Sequence, residues 1–299
     1  MKIGTDQNNT FDTMTMDCWN DRVYYEGKEF PAGHFATEIL NFAGVIHDPL
    51  LERITVLTAL VDDLSTAEKS KRHDIAAQLK PLLYDTVSWI YTCPPFCYCE
   101  SQSAYENLEH ALSEERLDQD YEEEEAHLPY LALSFCEPIL RILVAIYNFC
   151  LLIRTFEMKY LRRSKQRNAD AFAKAAHECF DEDDSFLILL EQMSFGEVEE
   201  FFSYPRVITG FKYFQDENDE EKWKTAQRVI CKRAIDFYVF DLMNGLHHGH
   251  APSQCQGCGR YFLTTNGHIP KYCDGVAPQD NRYTCRQYGA MMHQKEQNK

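Results

Sequence analysis

Residues 255–290 read CQGCGRYFLTTNGHIPKYCDGVAPQDNRYTCRQYGA, and four of them set the expectation for the rest of the tail. Cys255, Cys258, Cys273 and Cys285 follow the spacing C-x2-C, fourteen residues, C, eleven residues, C. Four thiolates can enclose one Zn²⁺ tetrahedrally, and a shell completed by protein leaves no open position for a reacting water. The spacing therefore predicts a structural metal rather than a catalytic one. Iron is the alternative, because tetrahedral sulfur sites accept it too.

Outward from the cysteines, the local chemistry predicts a small fold around that metal. Cys255 and Cys258 form a knuckle in which Gly259 permits a positive φ, so that backbone N–H groups point back at sulfur. Tyr261 and Phe262 read as strand residues supplying a minimal apolar core. Thr264-Thr-Asn-Gly267 predicts a turn, with the returning strand closing at Tyr272-Cys273. Thr284-Cys-Arg-Gln287 is a capping box, which starts a helix with Cys285 in its first turn. Knuckle, hairpin and ligand-bearing helix make a treble-clef-like finger, with residues 274–283 a longer insertion than a compact member carries.

The motifs C-x2-C-G-R-Y-F, K-Y-C and C-x-x-x-G-A over residues 255–290 resemble the C-terminal signature of an uncharacterised bacterial family of unknown function, in which a helical region precedes the finger. More distantly, the pattern is similar to CGNR-type zinc fingers, and that resemblance implies nucleic-acid binding. Cys285-Arg-Gln-Tyr stands where that motif has C-G-N-R. On this reading Arg260, Lys271, Arg282 and Arg286 are the phosphate-contact candidates and Tyr261 the residue to stack on a base. The plainer account of each is an exposed cation that solubilises and an aromatic ring that packs the finger.

Upstream, the dominant signal is helical. Phe35, Ile39, Phe42 and Ile46 recur at three and four residues; Leu50, Ile54, Leu57, Val61 and Leu64 form a second stripe; Ile75, Leu79, Leu82, Leu83, Val87 and Ile90 form a third. Cys93-Pro-Pro-Phe-Cys-Tyr-Cys99 ends the third, since adjacent prolines cannot continue a helix. Leu128 to Arg163 is the most apolar region. Its centre, Ile139–Ile153, holds Arg141 and Asn148 and falls short of the about twenty largely uncharged residues a membrane span needs, so a buried core helix is expected. The cations Arg154, Lys159, Arg162, Arg163, Lys165 and Arg167 suit its C-terminus. Further helices are predicted over 169–180 and 185–193, and a last long one over Lys222–Asn244 with Gly245 as its stop. Outside the finger, the strand signal is confined to Arg22–Phe30, where Glu26-Gly27 predicts one short hairpin. The residues before it read as polar and loose.

The chain has 299 residues and a net charge of −17. That balance argues against the whole protein as a polyanion binder. Residues 255–299, by contrast, hold six Lys or Arg against three acids. The start, MKIGTDQNNTFDTMTMD, has no apolar signal segment, so a cytoplasmic protein with reduced thiols is expected. Most of the other eight cysteines then read as core packing. Cys93, Cys97 and Cys99 would need a fourth ligand to bind metal. His247, His248 and His250 read as a polar linker, His268 lies in the predicted turn, and Asp181–Asp184 and Glu197–Glu200 read as solvated acidic faces.

The sequence thus predicts a mainly α protein: an N-terminal segment with a short β-hairpin (1–33), a helical domain (34–250) and a treble-clef-like zinc finger (251–299). Two roles compete. One is nucleic-acid recognition through the finger. The other is a protein-interaction module in which the finger is purely structural and the acidic helical body meets a basic partner. An enzyme would require convergent polar side chains in a cleft of the body.

Overall fold

The computed structural model describes residues 13–43, 47–118, 130–186, 188, 205–216, 219–267 and 270–297. Strands β1 (Met14–Trp19), β2 (Arg22–Tyr25) and β3 (Lys28–Pro31) form an antiparallel meander. The β2–β3 turn is the predicted one, with Glu26 at φ 46° and Gly27 at φ 73°, the two left-handed residues a tight hairpin turn demands. Helices α1 (His34–Ala43), α2 (His47–Thr66), α3 (Lys69–Ile90), α4 (Gln102–Ala111), the single turn α5 (Glu114–Leu117), α6 (Tyr130–Lys159) and α7 (Ala169–Phe180) follow. Then come β4 (Val207–Asp216), β5 (Asp219–Cys231) and α8 (Ala234–His247). The tail contributes β6 (Ala251–Gln254), β7 (Tyr261–Thr264), β8 (Val276–Ala277), β9 (Asp280–Thr284) and α9 (Cys285–Gln297).

The fold is mixed α/β, which corrects the mainly α expectation. A five-stranded antiparallel sheet runs β3-β2-β1-β5-β4. Residues read as a loose start form β1, whose register with β5 sets Met14 opposite Cys231 and Cys18 opposite Gln227. Residues Lys222–Cys231, read as the first half of a helix, are strand. Met16, Val229 and Cys231 all face the core and are buried. Ile230 helped to suggest the helix because period 2 and period 3.6 coincide at short range, and the pairing that decides between them comes from about two hundred residues away. Gly245 does not stop α8. It lies within the helix, and a Cβ there would sit 2.8 Å from Gly33 Cα. The stop is Gly249, at φ 77°.

The core lies between the inner face of the sheet and the helices. Tyr25 of β2, Phe35 of α1 and Phe237 of α8 form a triangle of rings, with centroids 5.3–5.4 Å apart. The Leu50–Leu64 stripe of α2 is buried throughout, as predicted. Helix α8 is buried on nearly every side, with the Tyr238 hydroxyl donating to Pro94 O at 2.6 Å. Its Asp241 carboxylate accepts N–H bonds from Gly33 and Ala36 at 3.0 Å each, capping α1 from 205 residues away or more. The segment Cys136–Arg163 is long and apolar enough to cross a membrane by composition, yet 67% of its most apolar window is buried inside the protein. That is the arrangement of a core helix.

Candidate metal centre

Two pieces of the tail bring the four cysteines together. The first is the knuckle between β6 and β7, which pair antiparallel with Ala251 opposite Thr264 and Gln254 opposite Tyr261. The strand returning from the predicted turn is therefore not the partner of β7; the partner lies upstream, across the knuckle. Gly259 takes φ 75°, and the N–H groups of Gly259 and Cys255 bond to Cys255 O and Arg260 O at 2.9 and 2.8 Å. The second piece is the β8–β9 hairpin followed by α9. Thr284 and Gln287 cap that helix reciprocally: Thr284 N–H donates to Gln287 Oε1 at 2.9 Å, and Gln287 N–H to Thr284 Oγ1 at 3.2 Å. Cys285 is the first residue of α9, as the capping box predicts. Its N–H bonds Gly275 O, while Arg286 N–H bonds Cys273 O, so the start of the helix is sewn to the third cysteine.

The four Sγ atoms lie within 4.8 Å of one another, and Cys258 and Cys273 Sγ are 3.6 Å apart. A tetrahedron with metal–sulfur bonds of about 2.3 Å has edges of about 3.8 Å, so the cluster is close to the size that one ion requires. Cys255, Cys273 and Cys285 are buried. Two backbone N–H groups, of Gly257 and Cys273, point at Cys255 Sγ at 3.4 and 3.3 Å. Burial pushes the Cys255 thiol up, but these and the Cys258 N–H outweigh it and bring it down to about 7. Cys273 is raised to about 11 and Cys285 higher still, first by burial and then by their sulfur neighbours. One thiolate forms readily and the next ones repel it. A cation at the centre removes that repulsion. The arrangement is that of a structural metal ion in a closed shell.

Around the sulfurs lies a small core separate from the main one: Ala277, Phe262, Tyr272 and Tyr288. Tyr272 lies flat on Gly289 of α9, where an added Cβ would meet its ring at 2.5 Å. This contact accounts physically for the K-Y-C and C-x-x-x-G-A motifs: the tyrosine before the third cysteine needs a glycine four residues after the fourth.

The base of the finger is fastened to the helical body by polar bonds that no local motif announces. Asn41 of α1 grips Tyr261 on both sides, accepting from its N–H at 2.7 Å and donating to its carbonyl at 3.0 Å. Arg162 donates to Gln254 Oε1 and Arg167 to Pro252 O, both at 3.1 Å. Arg154 reaches Leu40 O at 3.3 Å. Three members of the predicted basic patch thus tie α6 and its following loop to α1 and β6. His250, read as linker, is buried, with Nδ1 3.0 Å from Ala32 O.

The nucleic-acid candidates fare unequally. Tyr261 is buried in the main core and offers no face to a base. Arg282 is paired with Asp280 at 2.7 Å and Arg286 with Asp274 at 3.1 Å. Arg260 and Lys271 are exposed on the knuckle. Among the described residues, the C-terminal four are the only cluster compact enough for a metal. Cys93 is buried, Cys97 exposed, and Cys99 Sγ lies 3.2 Å from the Tyr25 hydroxyl, so these three serve the core and the loop around it. Burial pushes Cys18, Cys93, Cys136, Cys150 and Cys231 up to about 12, as inert packing thiols. Asp183 caps its own turn, accepting from Phe186 N–H and from the Tyr160 and Ser185 hydroxyls. His268 and Glu197–Glu200 lie outside the described residues.

No curated protein and no solved structure matches the chain, and none of the comparisons supports the CGNR likeness. Residues 202–299, which include β4, β5, α8 and the whole tail, are similar to a family of unknown function (DUF6076).

Proposed function

We propose that the tail is a ZnCys4 finger whose metal is structural, and that the protein is a protein-recognition module for a basic partner. The observation that carries this reading is the disposition of the finger's cations. Arg282 and Arg286 are neutralised by acids within the finger itself, the aromatic candidate is buried, and the base of the finger is bonded to α1 and α6. A finger spent in this way is fastened to the body; it does not reach for phosphate. The body upstream of Cys255 carries a net charge of −20, which favours association with a basic surface. Soft thiolates in a tetrahedron suit Zn²⁺.

Arg260 and Lys271 favour the second reading, nucleic-acid recognition, because both are exposed beside the knuckle with no carboxylate in ion-pair contact among the described residues. Titration of labelled random single-stranded DNA and RNA with the metal-loaded protein decides between the two. The protein-recognition reading predicts no binding at low salt. Binding that weakens steeply with salt, with a slope that flattens in Arg260→Glu/Lys271→Glu, would establish the nucleic-acid reading instead.

A further inference from the structure

The pairing of β1 with β5 ends at Cys18 and Gln227, and from there β4 and β5 run on as a two-stranded ribbon. On one face of the ribbon, each cross-strand pair joins an aromatic ring to an uncharged polar side chain: Phe211 with Gln227, Tyr213 with Thr225, and Trp223 with Gln215. Nearer the sheet the same face turns inward, where Val229 is buried on the core. Along the ribbon it is open to water. Phe211 is 73% exposed, Tyr213 67% and Trp223 65%. The other face is of a different kind. There Lys212 and Arg228 meet Asp17 at 3.5 and 2.8 Å, and Lys224 lies over the Trp19 ring at 4.2 Å. A contiguous exposed group of three large rings marks a surface that another molecule covers.

We propose that this face packs against the same face of a second copy of the chain, the two ribbons stacked like the layers of a β-sandwich. Three observations select a second copy. The first is the alternation within the pairs. A two-fold axis running along the ribbon, midway between β4 and β5, exchanges the two strands across the contact. It lays Phe211 of each copy over Gln227 of the other, Tyr213 over Thr225, and Trp223 over Gln215. Every ring then meets a smaller side chain, which suits the gap of about 10 Å between packed sheets and their offset of about 30°. Such a contact is isologous and closes at two copies. The second is charge. From Thr209 to Gln215 and from Trp223 to Gln227 this face holds no charged side chain, in a protein of net charge −17. Two like-charged molecules can meet here without setting charge against charge, whereas a basic partner would find no carboxylate to pair with. The third is area. Three aromatic side chains exposed to this degree offer about 400 Å². All of that is covered when the faces stack, so two copies bury about 800 Å² of ring surface. The exposed Thr and Gln residues beside the rings carry the total past the about 1,000 Å² at which specific interfaces begin. A dimer formed here leaves the acidic surface of the body free, so it stands whether or not a basic partner binds.

Sedimentation velocity on the full-length, metal-loaded protein over about 1–100 µM, with tryptophan emission followed across the same range, tests this. The expected species is a dimer of twice 34.9 kDa. Its formation should move the emission to shorter wavelength, and Trp223→Phe should abolish that shift, because stacking takes this ring out of water. Phe211→Asp, which places an unpaired charge inside the contact, should weaken the dimer at least about 100-fold, and Trp223→Ser about 10-fold. Both positions are exposed, so circular dichroism and metal content should match the parent protein. A parent that is monomeric at the top of the range, or a dimer indifferent to both substitutions, would overturn the proposal. So would a dimer whose formation leaves the Trp223 emission unmoved, since that dimer would use another surface.

Discussion

The molecule has two cores, with Tyr261 of the first next in sequence to Phe262 of the second, and they are built on opposite principles. The large core, between the sheet and the helices, is a continuous body of buried side chains around Phe35, Phe149, Phe237 and Tyr238. It is held by apolar area and needs no ion. The small core has Ala277, three aromatic neighbours and four sulfurs. Sequestered from water without a cation, those sulfurs cannot all be ionised. A domain this small rarely stabilises itself without a staple. The lesson is that stability in this chain is regional: the same polypeptide holds one region that buries its way to a fold and another whose four clustered sulfurs call for a cation.

Predictions follow the line between the two. The largest effect should come from Cys285→Ser, which removes one ligand and the helix-borne arm of the site. Structural zinc contributes about 10–16 kcal/mol in isolated fingers, so bound metal should be lost and β8, β9 and α9 should lose amide protection, while α2, α6 and α8 keep theirs. Loss of protection throughout would mean that the two cores are one. The reciprocal test is Phe237→Ala, a cavity in the large core, which should cost about 3–5 kcal/mol in denaturant unfolding and leave the metal content of the folded fraction unchanged.

A pH experiment sharpens the contrast. Burial of Asp241 outweighs its backbone N–H bonds and raises its carboxyl from 3.8 to about 6. The folded state therefore holds a proton that the unfolded state releases between about pH 4 and 6. The contribution to stability is full below about 4 and is lost as pH rises through 6, by about 3 kcal/mol. The advantage of the parent protein over Asp241→Asn should shrink by that order from pH 4 to 7, measured as the difference in unfolding free energy. Gly289→Ala drives a methyl into the Tyr272 ring and should cost about 1–3 kcal/mol, local to the finger, read as a faster loss of metal to a chelator. Thr284→Ala removes half the capping box, for about 1 kcal/mol.

Legibility divides along the same boundary. The finger is specified within forty residues. Cysteine spacing, Gly259 and the Thr284–Gln287 box are each local: the four sulfurs converge, Gly259 takes a positive φ and the box closes. The sheet was missed because its decisive pairing joins residues 14–18 to 227–231, and neither strand declares its partner. Residues 222–231 hold a helix-compatible pattern until β1 fixes their alternation. Gly245 reads as a helix stop because glycine so often is one; its actual task, the close approach to Gly33, depends on a neighbour two hundred residues distant. Asn41 and Asp241 carry no sequence signal at all, since a lone amide or carboxylate becomes a clamp or a cap only when another element arrives. Even in the finger, the turn at Asn266-Gly267 suggested the wrong partner for β7, because the knuckle itself brings β6 back alongside.

The central claim is that a single metal ion assembles the small core and leaves the large one alone. Hydrogen exchange of the purified full-length protein, with metal content determined on the same sample before and after chelation, tests it most directly. The account predicts one zinc per chain, and loss of amide protection on its removal confined to the tail from the knuckle onward. A protein without stoichiometric metal, or one whose tail is equally protected after chelation, would contradict it.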